Sequence, residues 1–324
     1  MKITRPPALS LLSISIVCAT GAVWSQPYPA KPVRVIVPFP PAGANDIVAR
    51  IVLPRVAEQT GQLFIIENRG GAGGTIGTTV VAQSKPDGYT LLVQTTASHV
   101  SNQHLYKKLP YDALRDFTGA SPVARLVSVL TVHPALPAQS VKAFIALAKQ
   151  RPKEILHGHS GLGSFTHMNG VLFESRSGVR MTQVPFKGGG PAVIALVSGE
   201  TQVQVAAISE LIAHIKSNRV RALGVTSLER LAQLPDVPAI ADTIPGYESS
   251  TWVSIFAPAG TPRAIIDRLN AEIGKAVGDS EVAARLKAQT LDPSHRPPEA
   301  LAQRLRADYD TIGKLFRDFD VKLD

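Results

Sequence analysis

Val33-Arg34-Val35-Ile36-Val37-Pro38-Phe39-Pro40-Pro41-Ala42-Gly43-Ala44-Asn45-Asp46 is the stretch on which the reading of this chain turns. Its apolar start reads as a buried strand, its prolines and glycine as a stiff loop, and its end as the opening of a helix near Ile47. Proline has no N–H, so the loop carries few donors that need partners. Asn45 or Asp46 is placed to cap the helix, which leaves other first-turn N–H groups free for a carboxylate or phosphate. An ordinary strand-to-helix turn has the same outline, so this loop alone does not establish an anion site.

Upstream, residues 1–25 read as an export signal. Lys2 and Arg5 form the charged start, Ala8 to Val23 is apolar or small, and a cleavage site falls near Ser25. A membrane anchor fits less well, because the stretch is short, holds several Ser and Thr, and is followed by no second span. Val17 stands before Cys18 where a lipid-attachment signal wants a small residue. Cys18 is the only cysteine, so the exported chain has no disulfide and no thiol chemistry.

The remaining ~300 residues exceed what one hydrophobic core usually supports, so two domains are expected. With 44% hydrophobic and 18% charged residues the chain is globular with a large core. Removing Lys2 and Arg5 takes the formal charge from +9 to +7. No Lys/Arg block or aromatic-basic interleaving accompanies that charge, which argues against nucleic acid and for acidic solutes or an anionic surface.

Short β-rich runs at Val33–Val37, Leu63–Glu67 and Tyr89–Gln94 alternate with helical stretches at Ile47–Thr60 and Thr75–Ala82, the pattern of a parallel sheet with crossover helices. Pro54 should kink the first helix. A second α/β series runs from the strand Val127–Val132 through helices at Val141–Gln150, Phe165–Glu174 and Ala192–Val197. Strands at Glu154–His157, Thr182–Pro185, Val203–Ala206 and Ala222–Val225 belong to it. Trp252–Pro258 is extended, and amphipathic helices at Arg263–Val277 and Pro298–Phe319 close the fold. The chain is expected to cross between domains near Val129 and Val253, giving one discontinuous lobe, 26–129 plus 254–324, and an inserted lobe, 130–253.

Five small-residue loops follow strands: Phe39–Asp46, Gly70–Gly77, Thr95–His99, Ser160–His167 and Lys187–Pro191. In open α/β sheets such loops gather at the carboxyl ends of the strands, where ligands sit. More specific chemistries fail on spacing. Gly70–Gly77 has no Gly-x-Gly-x-x-Gly register, and Lys187-Gly188-Gly189-Gly190 has its Lys before the glycines. Gly158-His159-Ser160-Gly161-Leu162 misses a nucleophile elbow because Leu162 replaces the final Gly. His157 and His159 share one face of a strand, but no nearby carboxylate or Cys completes a metal shell, so no metal and no cofactor are expected. Trp252 and Phe256 read as core or hinge packing.

The ordered motifs resemble the Bug family of periplasmic solute receptors of tripartite tricarboxylate transporters. They are Tyr28-Pro29-Ala30-Lys31-Pro32, Val37-Pro38-Phe39-Pro40-Pro41, Glu67-Asn68-Arg69 through Gly77, Pro86-Asp87-Gly88-Tyr89-Thr90-Leu91-Leu92, Leu109-Pro110-Tyr111-Asp112 and Asp116-Phe117. Ser160-Gly161-Leu162-Gly163-Ser164 with His167, Val184-Pro185-Phe186-Lys187-Gly188, Arg221-Ala222-Leu223, Leu234-Pro235-Asp236-Val237-Pro238 and Ala257-Pro258-Ala259-Gly260-Thr261-Pro262 complete the set.

The resemblance implies an α/β type II periplasmic binding fold, with two lobes, a two-strand hinge and a ligand between them. It also implies a monomeric receptor that carries a small organic carboxylate to membrane permease subunits and is not an enzyme. Mapped by motif, the ligand residues are Phe39, Pro40, Ala42, Gly43, Asn45, Asp46, Thr95, Thr96, Ser98, Ser160, Gly161, Gly163, Ser164, His167, Lys187 and Gly188. Departures from the family pattern bear on the ligand: Ala42 for Gly, Gly70 for Pro, and His157 and His159 for Tyr and Ser, which could add donors near the anion. Ala206, where some members carry an Asp that meets an ammonium, implies an acid without an amino group. Two other outputs fit the same residues: a sensor docking on a membrane histidine kinase, and a secreted hydrolase using Ser160.

Overall fold

The computed structural model describes residues 1–2, 28–319 and 321, so all but the first two residues of the expected export signal lie outside it. In chain order the elements are β1 (Val33–Val37), α1 (Ala44–Thr60), β2 (Phe64–Asn68), α2 (Thr75–Ala82), β3 (Thr90–Thr95), α3 (Thr96–Leu105) and β4 (Phe117–Val132). There follow α4 (Val141–Gln150), β5 (Leu156–His159), α5 (Phe165–Ser177), β6 (Thr182–Pro185), α6 (Gly189–Ser198), β7 (Val203–Ala207), α7 (Ile208–Lys216) and β8 (Arg221–Val225). The chain ends with β9 (Ser250–Pro258), α8 (Arg263–Gly278), α9 (Ser280–Ala288), β10 (Leu291–Pro293) and α10 (Pro298–Asp318).

The first sheet runs β2-β1-β3-β9-β4, with β10 also on β4. β1 lies parallel between β2 and β3, with Val35 opposite Ile66 on one side and Leu91 on the other. Val33, Val35, Ile36 and Val37 are fully buried, as expected of a parallel strand covered by helices on both faces. The second sheet is β6-β5-β7-β4, with β8 also on β4. β4 belongs to both. Phe117–Val127 pair with β9, and Ser128–Val132 pair with β7. β9 pairs with the first sheet from Ser250 onward. Each lobe has its own apolar core, and the second lobe's sheet carries a buried cluster on each face.

The two crossings are tied by a buried polar cluster. Asn169 on α5 donates to Ser128 Oγ at 2.7 Å and accepts from Ser249 Oγ at 2.6 Å. Thr226 Oγ1 accepts from Ser128 N and donates to the Ser249 carbonyl. Polar groups with their hydrogen bonds satisfied specify one strand pairing where apolar packing from either lobe would be indifferent.

Pro54, expected to kink α1, lies inside a helix that is continuous from Ala44 to Thr60. The proline and Arg50, whose carbonyl loses its partner, both lie on the exposed face, where water replaces the missing donor.

Candidate functional site

α1 starts at Ala44, three residues before the expected start, and its cap is Gly43, which supplies no side-chain bond. Neither Asn45 nor Asp46 caps it. Asp46 lies inside the first turn and reaches back: its carboxylate accepts from Ala42 N at 3.0 Å and pairs with Arg50 at 2.9 Å and Asn68 at 3.0 Å. Burial alone would raise its pKa; the Arg50, Ala42 and Asn68 donors outweigh it and hold the carboxyl below its ordinary value. Asp46 therefore locks the loop. The lock holds Ala42 in a left-handed turn at φ 67°, a conformation that costs alanine about 1 kcal/mol relative to glycine.

A small cavity of about 30 Å³ lies between the lobes, lined by Phe39, Gly43, Ala44, Asn45, Thr95, Ser98, Leu126, Ser160, Ser164, Phe165, Thr166, Gly189, Ala207 and Glu210. All of these but Phe39, Leu126 and Ser160 belong to the first turns or caps of α1, α3, α5, α6 and α7, so five helix N-termini converge on one space. Each contributes roughly half a positive elementary charge and first-turn N–H groups that have no partner within their own helix.

Hydroxyls set the walls. Thr95 caps α3 and donates to Ser98 Oγ at 2.9 Å, and Ser98 Oγ accepts from Phe165 N at 3.0 Å, a bond from one lobe to the other. Ser164 caps α5 by accepting from His167 N. Thr166 Oγ1 accepts from Ser160 N and lies 2.8 Å from Ser160 Oγ. Thr166 is the one hydrogen-bond partner Ser160 Oγ has among the described residues, so no base is set to activate it.

The cavity opens outward into a space of about 250 Å³ lined by Phe39, Pro40, the Gly71–Gly74 loop, Tyr106, Ser160–Leu162 and Pro185–Gly188. Here the lobes touch backbone to backbone. A Cβ on Gly73 would lie 2.1 Å from the Leu162 carbonyl oxygen, and one on Gly188 would lie 2.7 Å from the Pro40 ring. Ser101 Oγ also donates to the Gly163 carbonyl across the gap. The inner cavity holds roughly two water-sized spheres. A whole dicarboxylate enters only when the lobes part.

Of the residues expected at the ligand, Phe39, Gly43, Asn45, Thr95, Ser98, Ser160 and Ser164 line the inner cavity, and Pro40, Gly161, Lys187 and Gly188 line its mouth. Ala42, Asp46, Thr96, Gly163 and His167 line neither. Thr96 Oγ1 is held by Thr251 and Asp308, and His167 Nδ1 accepts from Gly163 N at 3.2 Å, which shapes the loop from behind. His157 is engaged by Gln183 and Val205 N. The rings of His157, His159 and His167 stack in series, 5.9 and 4.6 Å apart. Burial, and for His159 and His167 also neighbouring histidines, depresses their pKa values to about 4, 2 and 3, so all three are neutral at pH 7 and offer the anion no charge. Among the described residues no group of three or more His, Cys, Asp or Glu is placed to hold a metal ion.

The residue the sequence reading missed is Glu210. It stands in the first turn of α7, after a sixth strand-to-helix junction, Ala206-Ala207-Ile208-Ser209-Glu210, where the strand runs straight into the helix with no glycine and a single hydroxyl to flag it. Its Oε1 accepts from Ala44 N at 3.0 Å, and its buried Oε2 has no partner. Burial raises its pKa to about 7, partly offset by the Ala44 N–H. Ala206, read as implying an acid without an amino group, is buried in β7 and is not among the residues lining the cavity. A separate groove of about 720 Å³ lies behind the hinge between α5 and α10, but Arg304 there is committed to Asp308 and the Ser250 carbonyl.

A profile of the family described as the tripartite tricarboxylate transporter family receptor matches residues 48–319. The chain belongs to this family. Protein BugT of Bordetella pertussis is 35% identical over 301 residues, covering 92% of each chain. Among solved structures, R. palustris Rpa4515 with adipate superposes with a TM-score of 0.86 at 33% identity, covering 90% of this chain and 97% of that one. MatC from Rhodopseudomonas palustris with bound malate gives 0.84 at 32%, covering 89% and 99%. The two α/β lobes around a cleft are thus the type II periplasmic binding fold that the motifs implied. No helix among the described residues is long and apolar enough to cross a membrane.

Proposed function

We propose that this receptor works in the periplasm as a monomer, closes two lobes on a small organic carboxylate, and presents the closed form to permease subunits of a tripartite tricarboxylate-type transporter. The observation that carries the reading is the meeting of five helix N-termini at one cavity between the lobes. Oriented N–H groups hold a carboxylate without a fixed cation, so the ligand can leave when the lobes open. Solved relatives carrying adipate and malate support the same ligand class.

The ligand residues in this reading are those lining the cavity and its mouth, and binding makes or breaks no bond. The lobes divide close to 129/130 and 253/254; in support, β4 leaves the first sheet after Val127 and β9 enters it at Ser250. The test is a thermal-shift screen of mono-, di- and tricarboxylates. A ligand present at a hundred times its Kd adds about 2.7 kcal/mol, which raises the Tm by roughly 5 °C in a chain of this size. If no carboxylate moves the Tm, the ligand class is wrong.

A further inference from the structure

We propose that Glu210 selects the ligand: it fills an anion seat of the cleft itself, so that the ligand end reaching it carries a hydrogen-bond donor, an amide, hydroxyl or ammonium, in place of a second carboxylate. The inference rests on the carboxylate-receptor reading and narrows it to acids with one carboxylate and one donor-bearing end.

The seat is built around this side chain. Oε1 takes the Ala44 N–H, one of the first-turn donors of α1 that would otherwise meet a ligand anion. On the other side the carboxylate lies against the start of α6, where Gly189 leaves the room: a Cβ there would stand 2.7–2.8 Å from Cδ, Oε1 and Oε2. Oε2 is enclosed and unpartnered, and the neighbouring Asn45 Oδ1 is likewise buried without a donor. Both residues line the inner cavity. Two unsatisfied acceptors on one cavity ask for donors. Among the described residues Glu210 is in no ion pair, so no protein cation competes for that role.

A second carboxylate in the same space would meet a like charge at short range, which disfavours binding. A donor-ended ligand instead recovers the hydrogen bond that the enclosed oxygen lacks. An ammonium is therefore admitted by this chain through Glu210, which reverses the selectivity inferred from Ala206.

The test compares chain-matched pairs by calorimetry at pH 8, where Glu210 is largely ionised: succinate with succinamate and 4-aminobutyrate, glutarate with 5-aminovalerate, adipate with 6-aminohexanoate. The wild type is expected to favour a donor-ended member over its dicarboxylate by tenfold or more. Glu210→Gln, which keeps the shape and adds an N–H, should gain at least tenfold for the dicarboxylate and lose the preference; Glu210→Ala serves as a second variant, with melting curves confirming that each is folded. A selectivity ratio unchanged in both folded variants overturns the role of Glu210 while leaving the receptor reading intact. Failure of every protein to bind any carboxylate, mono- or di-, overturns the receptor reading and this inference with it.

Discussion

Gly73→Ala tests whether lobe closure sets affinity, because it acts where the lobes meet and adds nothing to the inner cavity. The new Cβ would lie 2.1 Å from the Leu162 carbonyl oxygen, and a contact of at least 3.0 Å requires the two loops to separate by about 0.9 Å. Both sides are backbone, so no rotamer relieves the clash. Overpacking of this kind costs about 1–3 kcal/mol. The cost exists only when the lobes are together, so it lowers the closed population and the apparent affinity by roughly 5- to 150-fold. A separate cost arises from the left-handed backbone at Gly73, φ 63°, which burdens alanine by about 1 kcal/mol. That second cost is paid whether the lobes are open or closed, so it lowers Tm and leaves affinity alone. Calorimetry with the strongest carboxylate from the thermal-shift screen reads the first effect, and the melting curve without ligand reads the second. Small-angle scattering should show the ligand-free variant more extended than the wild type. A variant that binds within twofold of wild type, with the same scattering profile, would refute the argument that closure passes through this contact.

Two further outcomes follow from the same geometry. Gly43→Val should abolish carboxylate binding with the melting curve preserved, since a Cβ at Gly43 has no neighbour closer than 3.8 Å while the added methyls enter the cavity; unchanged affinity would remove the α1 loop from the site. Acid should weaken the fold early. His99, His157, His159 and His167 are pushed by burial to about 4, 4, 2 and 3, so below the ordinary histidine value near 6.5 the unfolded chain takes up protons that the native one refuses. Stability is then full above about pH 6.5 and falls as the pH drops toward 4, each histidine contributing up to about 1.4 kcal/mol per pH unit. Glu210, raised to about 7, opposes this over the same window, which leaves a net fall of roughly 4 kcal/mol per pH unit at most. Urea unfolding at pH 7.5, 6.5 and 5.5 measures it, and a flat profile would mean that these rings are not held neutral.

The first βαβ unit was legible because local and tertiary demands agree in it: β1 is apolar and buried at every position but Arg34, and the loop that follows is too rich in proline to be either strand or helix. α3 was not legible. Thr96-Ala97-Ser98-His99-Val100-Ser101-Asn102 reads as a loop on composition, yet all seven residues are buried, with Ser98 reaching the other lobe, Thr96 reaching α10 and Asn102 holding the Gly73 carbonyl. A helix packed through polar contacts on several sides has no apolar stripe for periodicity to find. β4 was half legible. Its first part, Phe117 to Leu126, holds Gly119, Ser121 and Pro122, and the register against β9 shifts at those positions, so the run has no clean alternation. The loop glycines were read as close approaches to a ligand. Gly73 and Gly188 do face a close approach, but to the opposite lobe, and sequence cannot say which body arrives.

The two acids of the site make the same point about chemistry. Asp46 and Glu210 each occupy the third position of a helix whose cap makes no side-chain bond, and each accepts a backbone N–H. Proximity to the prolines and glycine of the opening loop marked Asp46 as ligand-facing, and nothing marked Glu210. What separates them is the source of the donor. Asp46 takes the N–H of Ala42, four residues back in its own loop, and so spends its charge on making that loop rigid. Glu210 takes the N–H of Ala44 from the other lobe, so its bond exists only when the lobes are together. An acid at that position is therefore part of the closing mechanism as well as of the cavity wall. A ligand that reaches Oε2 engages a carboxylate already fixed across the gap, and it completes a contact between the lobes that the protein has half made.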